Sequence, residues 1–184
     1  MRRYVIFFSI VAVTVAGVLF VRAGYYPVVL VGGDFLFARD FWNQYRAART
    51  YYEKSRAMYG VSSTVPVADM ERAVLEAMIE EALVRSGVRH EVGADVDHLV
   101  SARVDSFLSD TDLVRAADVA YGVSAREFRA IVLVPQAERE ILTGKLFLRG
   151  EEFQDWLEEA KRNERVLMLA PGLHWNGSKL EAKQ

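Results

Sequence analysis

The sequence contains no cysteine. This absence excludes disulfide bonds, thiolate metal sites and cysteine nucleophiles together. It leaves the redox compartment undetermined, because a chain without thiols suits an oxidising space but does not require one.

Histidine is scarce as well, with three in 184 residues. His90 and His98 stand eight positions apart and His174 is remote from both, so no His-x-x-x-His pair exists. Gly32 and Gly33 lack the further glycines of a phosphate-binding loop, and no Gly-x-Ser-x-Gly elbow occurs. These absences together predict a chain with no catalytic centre, no metal and no cofactor.

Carboxylates are plentiful, but their spacing does not indicate acid/base chemistry. Neighbouring side chains on a helix diverge by roughly 100°, so adjacent carboxylates do not face one substrate. The sequence therefore predicts solvated surfaces at three pairs, Glu80-Glu81, Glu151-Glu152 and Glu158-Glu159.

Positive charge is not in excess, because the formal net charge is −2. Arg2, Arg3 and Arg22 all flank the first apolar segment, which leaves the rest of the chain more acidic than the total suggests. Nucleic acid is therefore not an expected partner.

One apolar run extends from Tyr4 to Val21, about 18 residues, which is long enough to cross a bilayer core of roughly 30 Å. Arg2 and Arg3 precede it and favour a cytoplasmic N-terminus. We expect a transmembrane helix that contacts the lipid bilayer through residues 4–21, in a single-pass protein of the cell membrane. The following domain would then be extracytoplasmic, periplasmic or on the cell surface. A cleaved signal peptide is the alternative, although Arg22 disfavours a small-residue cleavage site.

The region after this run begins with a short strand and a turn. Pro27 to Val31 is apolar and β-branched, and Gly32-Gly33-Asp34 supplies turn residues. Ala38 to about Tyr59 has apolar residues at helical spacing, which predicts a long amphipathic helix. A second helix is predicted to follow Pro66 and to stop near Gly87.

Three more helical stretches are predicted, over 96–108, 111–121 and 124–148. Ser124 and Glu127 have the spacing of a capping box, which marks the start of the third stretch. Pro135 removes one backbone donor there, so we expect a kink.

The chain closes with a helix near 153–160, an apolar strand over 166–169 and a tail that is predicted to be loose. Two isolated short strands are unstable, so we expect the strands at 27–31 and 166–169 to pair. The predicted fold class is mainly α, with amphipathic helices closed by a small two-stranded sheet. The predicted organisation is a transmembrane signal-anchor at 1–23, a helical domain at 24–170 and a polar C-terminal tail at 171–184.

Large aromatic and methionine side chains are the candidate binding residues. Such side chains can line a groove for apolar polypeptide segments, and they can equally be the core face of amphipathic helices. Trp42 and Tyr51 lie off the main aromatic stripe and are the better candidates for exposed contacts. The full candidate set is Phe41, Trp42, Tyr45, Tyr51, Tyr52, Met70 and Met78.

Several short motifs carry a family resemblance. They are Val28-Val29-Leu30-Val31-Gly32-Gly33-Asp34 with Arg39-Asp40-Phe41 and Tyr45, the stretch 74–83, Tyr121-Gly122-Val123-Ser124 ahead of Phe128, and Leu133-Val134-Pro135-Gln136. Over roughly 28–148 the chain resembles the N-terminal domain of SurA-type chaperones, of the parvulin-type peptidyl-prolyl isomerase family. Gly32 replaces the asparagine of the family's turn.

The resemblance implies a SurA-like domain that binds unfolded or partly folded secreted polypeptides. About 36 residues follow Leu148, too few for a compact catalytic domain, and they lack the Gly-Gly-Asp-Leu-Gly signature of the isomerase. We therefore expect a membrane-anchored, chaperone-like protein that holds nascent or unfolded polypeptides without catalysis. The alternative is an interaction module for one specific partner or for self-association.

Overall fold

The computed structural model describes residues 17, 20–60, 64–108, 115 and 118–183. The helices are α1 (Ala38–Tyr59), α2 (Val67–Val92), α3 (Val96–Leu108), α4 (Ala125–Phe128), α5 (Val134–Leu148) and α6 (Phe153–Asn163). The strands are β1 (Pro27–Val31), β2 (Asp34–Phe37), β3 (Val166–Met168), β4 (Leu173–Trp175) and β5 (Leu180–Ala182). The mainly α class with a small sheet is thus confirmed.

The first sheet has three antiparallel strands in the order β2-β1-β3. The predicted pairing of the strands at the two ends of the domain is confirmed, with Val29 opposite Met168. The sheet has three strands rather than the predicted two, because the chain turns back after β1 and adds β2. Gly32 and Gly33 have φ values of 56° and 103°, which suits the two-residue turn that returns the chain from β1 into β2.

Helix α2 runs through the middle of the domain and extends beyond its predicted end near Gly87. A Cβ on Gly87 would lie 2.5 Å from the ring of Trp156, so the glycine permits close packing of α6 rather than ending the helix. The helix ends at Gly93 instead, where φ is 69°.

The helical run that starts at Ser124 has the predicted capping box. The Ser124 hydroxyl accepts a hydrogen bond from the Glu127 backbone N–H at 3.3 Å, and Glu127 Oε2 accepts one from the Ser124 N–H at 3.0 Å. A π-helical turn over Arg129–Leu133 precedes Pro135, whose missing N–H breaks the α-helical hydrogen-bond ladder. Most of the predicted helix at 111–121 lies outside the described residues. Its last part, 118–121, is described and is helical.

Two apolar cores stabilise this arrangement. The larger core lies between the three-stranded sheet and helices α1, α2, α5 and α6, and the smaller one lies between α3 and the run α4–α5. Val96 and Ile141 contact both cores, so the two are continuous. The most buried side chains of the larger core include Val29, Ile79, Leu83, Leu142 and Leu146.

The C-terminal tail is ordered, so the prediction that it is loose is wrong. Strands β4 and β5 form a hairpin in which Leu180 is 2% exposed and its N–H donates to Glu76 Oε1 at 2.7 Å. Asn176 Oδ1 accepts hydrogen bonds from the backbone N–H groups of Ser178 and Lys179, which closes the turn.

The prediction of a transmembrane helix is contradicted. Most of residues 4–21 lie outside the described residues. Within the part of the chain that the structure describes, no helix combines the length and the apolarity that crossing a bilayer requires. This finding contradicts the transmembrane part of the predicted fold class and the single-pass membrane localisation.

Candidate functional site

A groove of about 620 Å³ opens between the start of α1, the start of α2 and the segment that joins β3 to β4. We call it the apolar groove. Among its described lining residues, Glu71 and Arg72 are the charged ones. Its apolar walls include Tyr26, Phe41, Trp42, Leu75, Leu169 and Leu173.

An aromatic cluster on α1 fixes one wall of the groove. The rings of Phe41 and Trp42 pack edge to face with their centroids 5.0 Å apart. The rings of Trp42 and Tyr45 pack in the same way, with centroids 5.8 Å apart. Tyr45 is 7% exposed and lies beneath the wall, whereas Trp42 is 46% exposed. The groove therefore presents a large aromatic surface that is held by its neighbours before any ligand binds.

The opposite wall comes from the last third of the chain. The backbone N–H groups of Leu169 and Ala170 both donate to the carbonyl of Val28, at 2.9 and 3.0 Å. These bonds hold the segment after β3 alongside β1, and the side chain of Leu169 remains 43% exposed. The wall thus depends on the pairing of the first and third strands.

The structure separates the predicted binding residues of α1. Phe41 and Trp42 line the apolar groove, and Tyr45 is core. Tyr51 stacks on the ring of Tyr121 at 4.9 Å, beside the smaller core. The hydroxyl of Tyr52 accepts a hydrogen bond from the Val65 N–H at 3.1 Å.

The two predicted methionines lie on α2. Met78 is 4% exposed and belongs to the larger core, and only a small part of it borders the concavity between α1 and α2. Met70 is half-buried and packs against the same core. Neither methionine lines the apolar groove.

Sequence reasoning missed Tyr26, Leu169 and Leu173 as groove residues. They lie at opposite ends of the domain and have no common periodicity. The one signal that connects them is the predicted pairing of the strands at 27–31 and 166–169, which places both ends side by side.

A second concavity of about 380 Å³ lies between α1, α2 and residues 121–131. We call it the polar cleft. Its lining includes Gln44, Glu81 and Arg85, and Gln44 Nε2 donates to Glu81 Oε2 at 2.9 Å. Burial raises the pKa of Glu81, while the hydrogen bond from Gln44 and the charge of Arg85 act in the opposite direction.

The pairing of Arg85 limits what the polar cleft can bind. Arg85 Nε donates to Glu138 Oε1 at 3.1 Å, so its charge is already compensated. Glu138 is 8% exposed at its side chain, and burial raises its pKa despite the charge and the hydrogen bond of Arg85. The network joins helices α1, α2 and α5, and a ligand would have to compete with these internal partners.

The predicted solvated pair Glu80-Glu81 is not solvated. Glu81 is half-buried in the polar cleft, and Glu80 Oε1 lies 2.7 Å from the ammonium of Lys161. Lys161 also pairs with Glu158 at 3.0 Å. Burial lowers the pKa of Lys161, but the hydrogen bonds and the negative charges of Glu80 and Glu158 together outweigh this effect, and the net shift is upward.

The arrangement of the apolar groove suits binding. Across the described ranges, no three His, Asp or Glu side chains lie close enough to hold a metal ion. Burial of apolar surface in the groove would contribute about 25 cal/mol per Å². The groove volume falls within the range of about 300–1,000 Å³ that is usual for ligand pockets.

Comparison with known protein families, with curated proteins and with solved structures finds no match to this chain. The resemblance to SurA-type domains therefore rests on its sequence motifs and remains a prediction.

Proposed function

We propose that this protein binds exposed apolar segments of other polypeptides in the apolar groove and holds them without catalysis. The observation that carries the proposal is the half-exposed ring of Trp42, fixed by Phe41 and Tyr45 on the wall of a concave apolar surface. The exposed apolar surface of a large aromatic side chain is unfavourable in water, so a ligand that covers it gains binding free energy.

The size of this effect supports a weak but broad affinity. Covering the exposed part of Trp42 alone contributes on the order of 2–3 kcal/mol. Lost freedom of motion on binding consumes several kcal/mol, so several apolar contacts are needed together. Because the walls have few polar groups, the groove places little constraint on sequence beyond apolarity.

The SurA-like motifs support the same proposal from the sequence. They imply a domain for unfolded or partly folded clients, and such chains expose apolar segments before they fold. A chaperone-like role requires only that several unrelated clients are held.

A second candidate function, a specific interaction module, is favoured by the outer face of the three-stranded sheet. Leu30 lies between its cross-strand partners Phe35 and Leu167, which are 53% and 42% exposed. These three side chains form an apolar row on one face of the sheet. A folded partner or a second copy could cover it.

A light-scattering assay of aggregation, with the full chain added, tests the first proposal. Two unrelated proteins are unfolded, one by heat and one by reduction of its disulfides. We expect the chain to suppress aggregation of both, and Trp42→Ser to lose most of this activity. Phe147→Ser is the matched control, because Phe147 is 77% exposed but lies outside the groove, and it should retain the activity.

The outcomes separate the two candidate functions. No suppression of either client by a folded chain at several-fold excess would contradict the chaperone-like role. Suppression of only one client would favour the specific module. Equal losses in the Trp42 and Phe147 variants would show that the groove is not the binding surface.

A further inference from the structure

Arg72 is the one cationic side chain on the described walls of the apolar groove. Its nearest carboxylate, Asp69, has Oδ1 3.7 Å from Arg72 Nη1, which is too long for a hydrogen bond. The Nε atom of Arg72 is buried and has no hydrogen-bond partner among the described residues. The Arg72 guanidinium, which also borders another concavity that contains Glu76 and Glu181, thus has no hydrogen-bond acceptor among the described residues.

Other arginines of the domain are treated differently. Arg89 and Arg149 have side chains 54% and 43% exposed, against 38% for Arg72. Arg89 nevertheless pairs with Asp34 at 2.9 Å and Arg149 pairs with Glu91 at 2.7 Å. Of these three arginines, Arg72 is the least exposed and has the poorest partner, although a covered charge needs a partner most.

The start of α2 strengthens the attraction for an anion. Arg72 lies one helical turn after Ala68, which also lines the groove near the N-terminal end of the helix. The dipole of this helix end favours negative charge, although the N–H groups of Asp69 and Met70 already donate to the carbonyl of Pro66. Glu71 lies on the same wall and opposes the attraction, which disfavours a ligand with several negative charges.

We propose that Arg72 binds the C-terminal carboxylate of a polypeptide whose last residues are apolar and occupy the groove. This inference rests on the proposed function. Because Nε is buried, the two terminal Nη groups of the guanidinium are the parallel N–H donors that can match a carboxylate. A chain terminus supplies this group from its backbone, so every side chain in the groove can be apolar. An internal Asp or Glu would replace one of the apolar contacts that the walls offer.

The test uses fluorescence anisotropy with the full chain and three peptides labelled with fluorescein at the N-terminus. The first is Gly-Ser-Gly-Phe-Val-Leu-Leu with a free carboxylate, the second is its C-terminal amide, and the third is the amide extended by one Asp. We expect the free acid to bind roughly tenfold more tightly than either amide, as expected for a hydrogen bond to a charged group.

Variants of Arg72 assign this preference to the guanidinium. Arg72→Met should bind the acid and the amide equally, with the affinity of the amide. Arg72→Lys keeps the charge without the paired donors and should retain a smaller preference. Arg126→Met is the matched control, because Arg126 is exposed on α4 outside the groove, and it should keep the full preference.

Failure of this inference is distinguishable from failure of the proposed function. Equal binding of acid and amide by the unaltered chain would overturn the inference and leave polypeptide binding standing. Full preference for the acid in Arg72→Met would overturn it too. Binding of the Asp amide as tightly as the acid would overturn the assignment to a chain terminus. No binding of any peptide would contradict both proposals.

Discussion

Two glycines within helices of this domain differ in the space around them. Gly87 on α2 lies directly against Trp156, so its missing side chain sets the distance between α2 and α6. Gly144 on α5 is exposed and has open space where a Cβ would be. The same substitution should therefore have opposite effects at the two positions.

We expect Gly87→Ala to lower the free energy of unfolding. Its Cβ would lie 2.5 Å from the Trp156 ring. Overpacking of this kind costs about 1–3 kcal/mol, which exceeds the gain of about 1 kcal/mol from the better helix propensity of alanine. Urea unfolding followed by circular dichroism measures the change.

Gly144→Ala is the control for Gly87→Ala. It should stabilise the domain by about 0.5–1 kcal/mol, because it gains helix propensity and meets no neighbour. Stabilisation by both substitutions would contradict the account of the Gly87–Trp156 contact.

The half-buried Glu81 gives a pH dependence with a definite sign. Its pKa is raised in the folded state, so the folded protein holds this proton more tightly than the unfolded chain. The stabilisation is present below the unfolded pKa, near 4.3, and is lost as the pH rises through the folded pKa. Between these two pKa values the unfolding free energy of the unaltered protein should fall as the pH rises. We expect this fall to be smaller in Glu81→Gln. Urea unfolding at a series of pH values tests this, and an unchanged slope would contradict it.

At the scale of whole elements, local patterns located the longer helices well. Helices α1 and α3 and the capping box at Ser124 follow their predicted positions because periodicity and capping are local. Strand β2 and the hairpin β4–β5 were not predicted, since each strand has at most four residues and, unlike β3, includes a polar or charged residue. The burial of Leu180 against the rest of the domain stabilises that hairpin, and no local pattern reports such a contact.

We expect Leu180→Ala to release the hairpin and to destabilise the domain by about 2–4 kcal/mol, because Leu180 is fully packed. Thermal unfolding measures the loss, and faster trypsin cleavage after Lys179 reports the release. Leu148→Ala is the control, because Leu148 is 81% exposed and its truncation should change stability by less than about 0.5 kcal/mol. Equal effects of the two substitutions would show that the hairpin is not held by Leu180.

At the scale of the whole molecule, the sequence indicated the mainly helical class with a small sheet, but not which surface stays uncovered. Hydrophobic periodicity indicates which face of a helix is buried, and it placed Tyr45 on the inner face. It cannot indicate which part of that face stays uncovered, because this depends on the element that packs there. Trp42 and Leu169 line the same groove, and that arrangement arises only after β1 and β3 pair.

Binding of apolar polypeptide segments in the groove can be observed directly at the indole of Trp42. The chain has three tryptophans, so a ¹H–¹⁵N spectrum should show three indole signals, which single Trp→Phe variants assign. Trp42 lies in the groove, Trp156 packs against Gly87, and Trp175 is on β4. We expect titration with the free-acid peptide Gly-Ser-Gly-Phe-Val-Leu-Leu to shift the Trp42 signal progressively and to leave that of Trp156 in place. An unmoved Trp42 signal at saturating peptide would contradict the account.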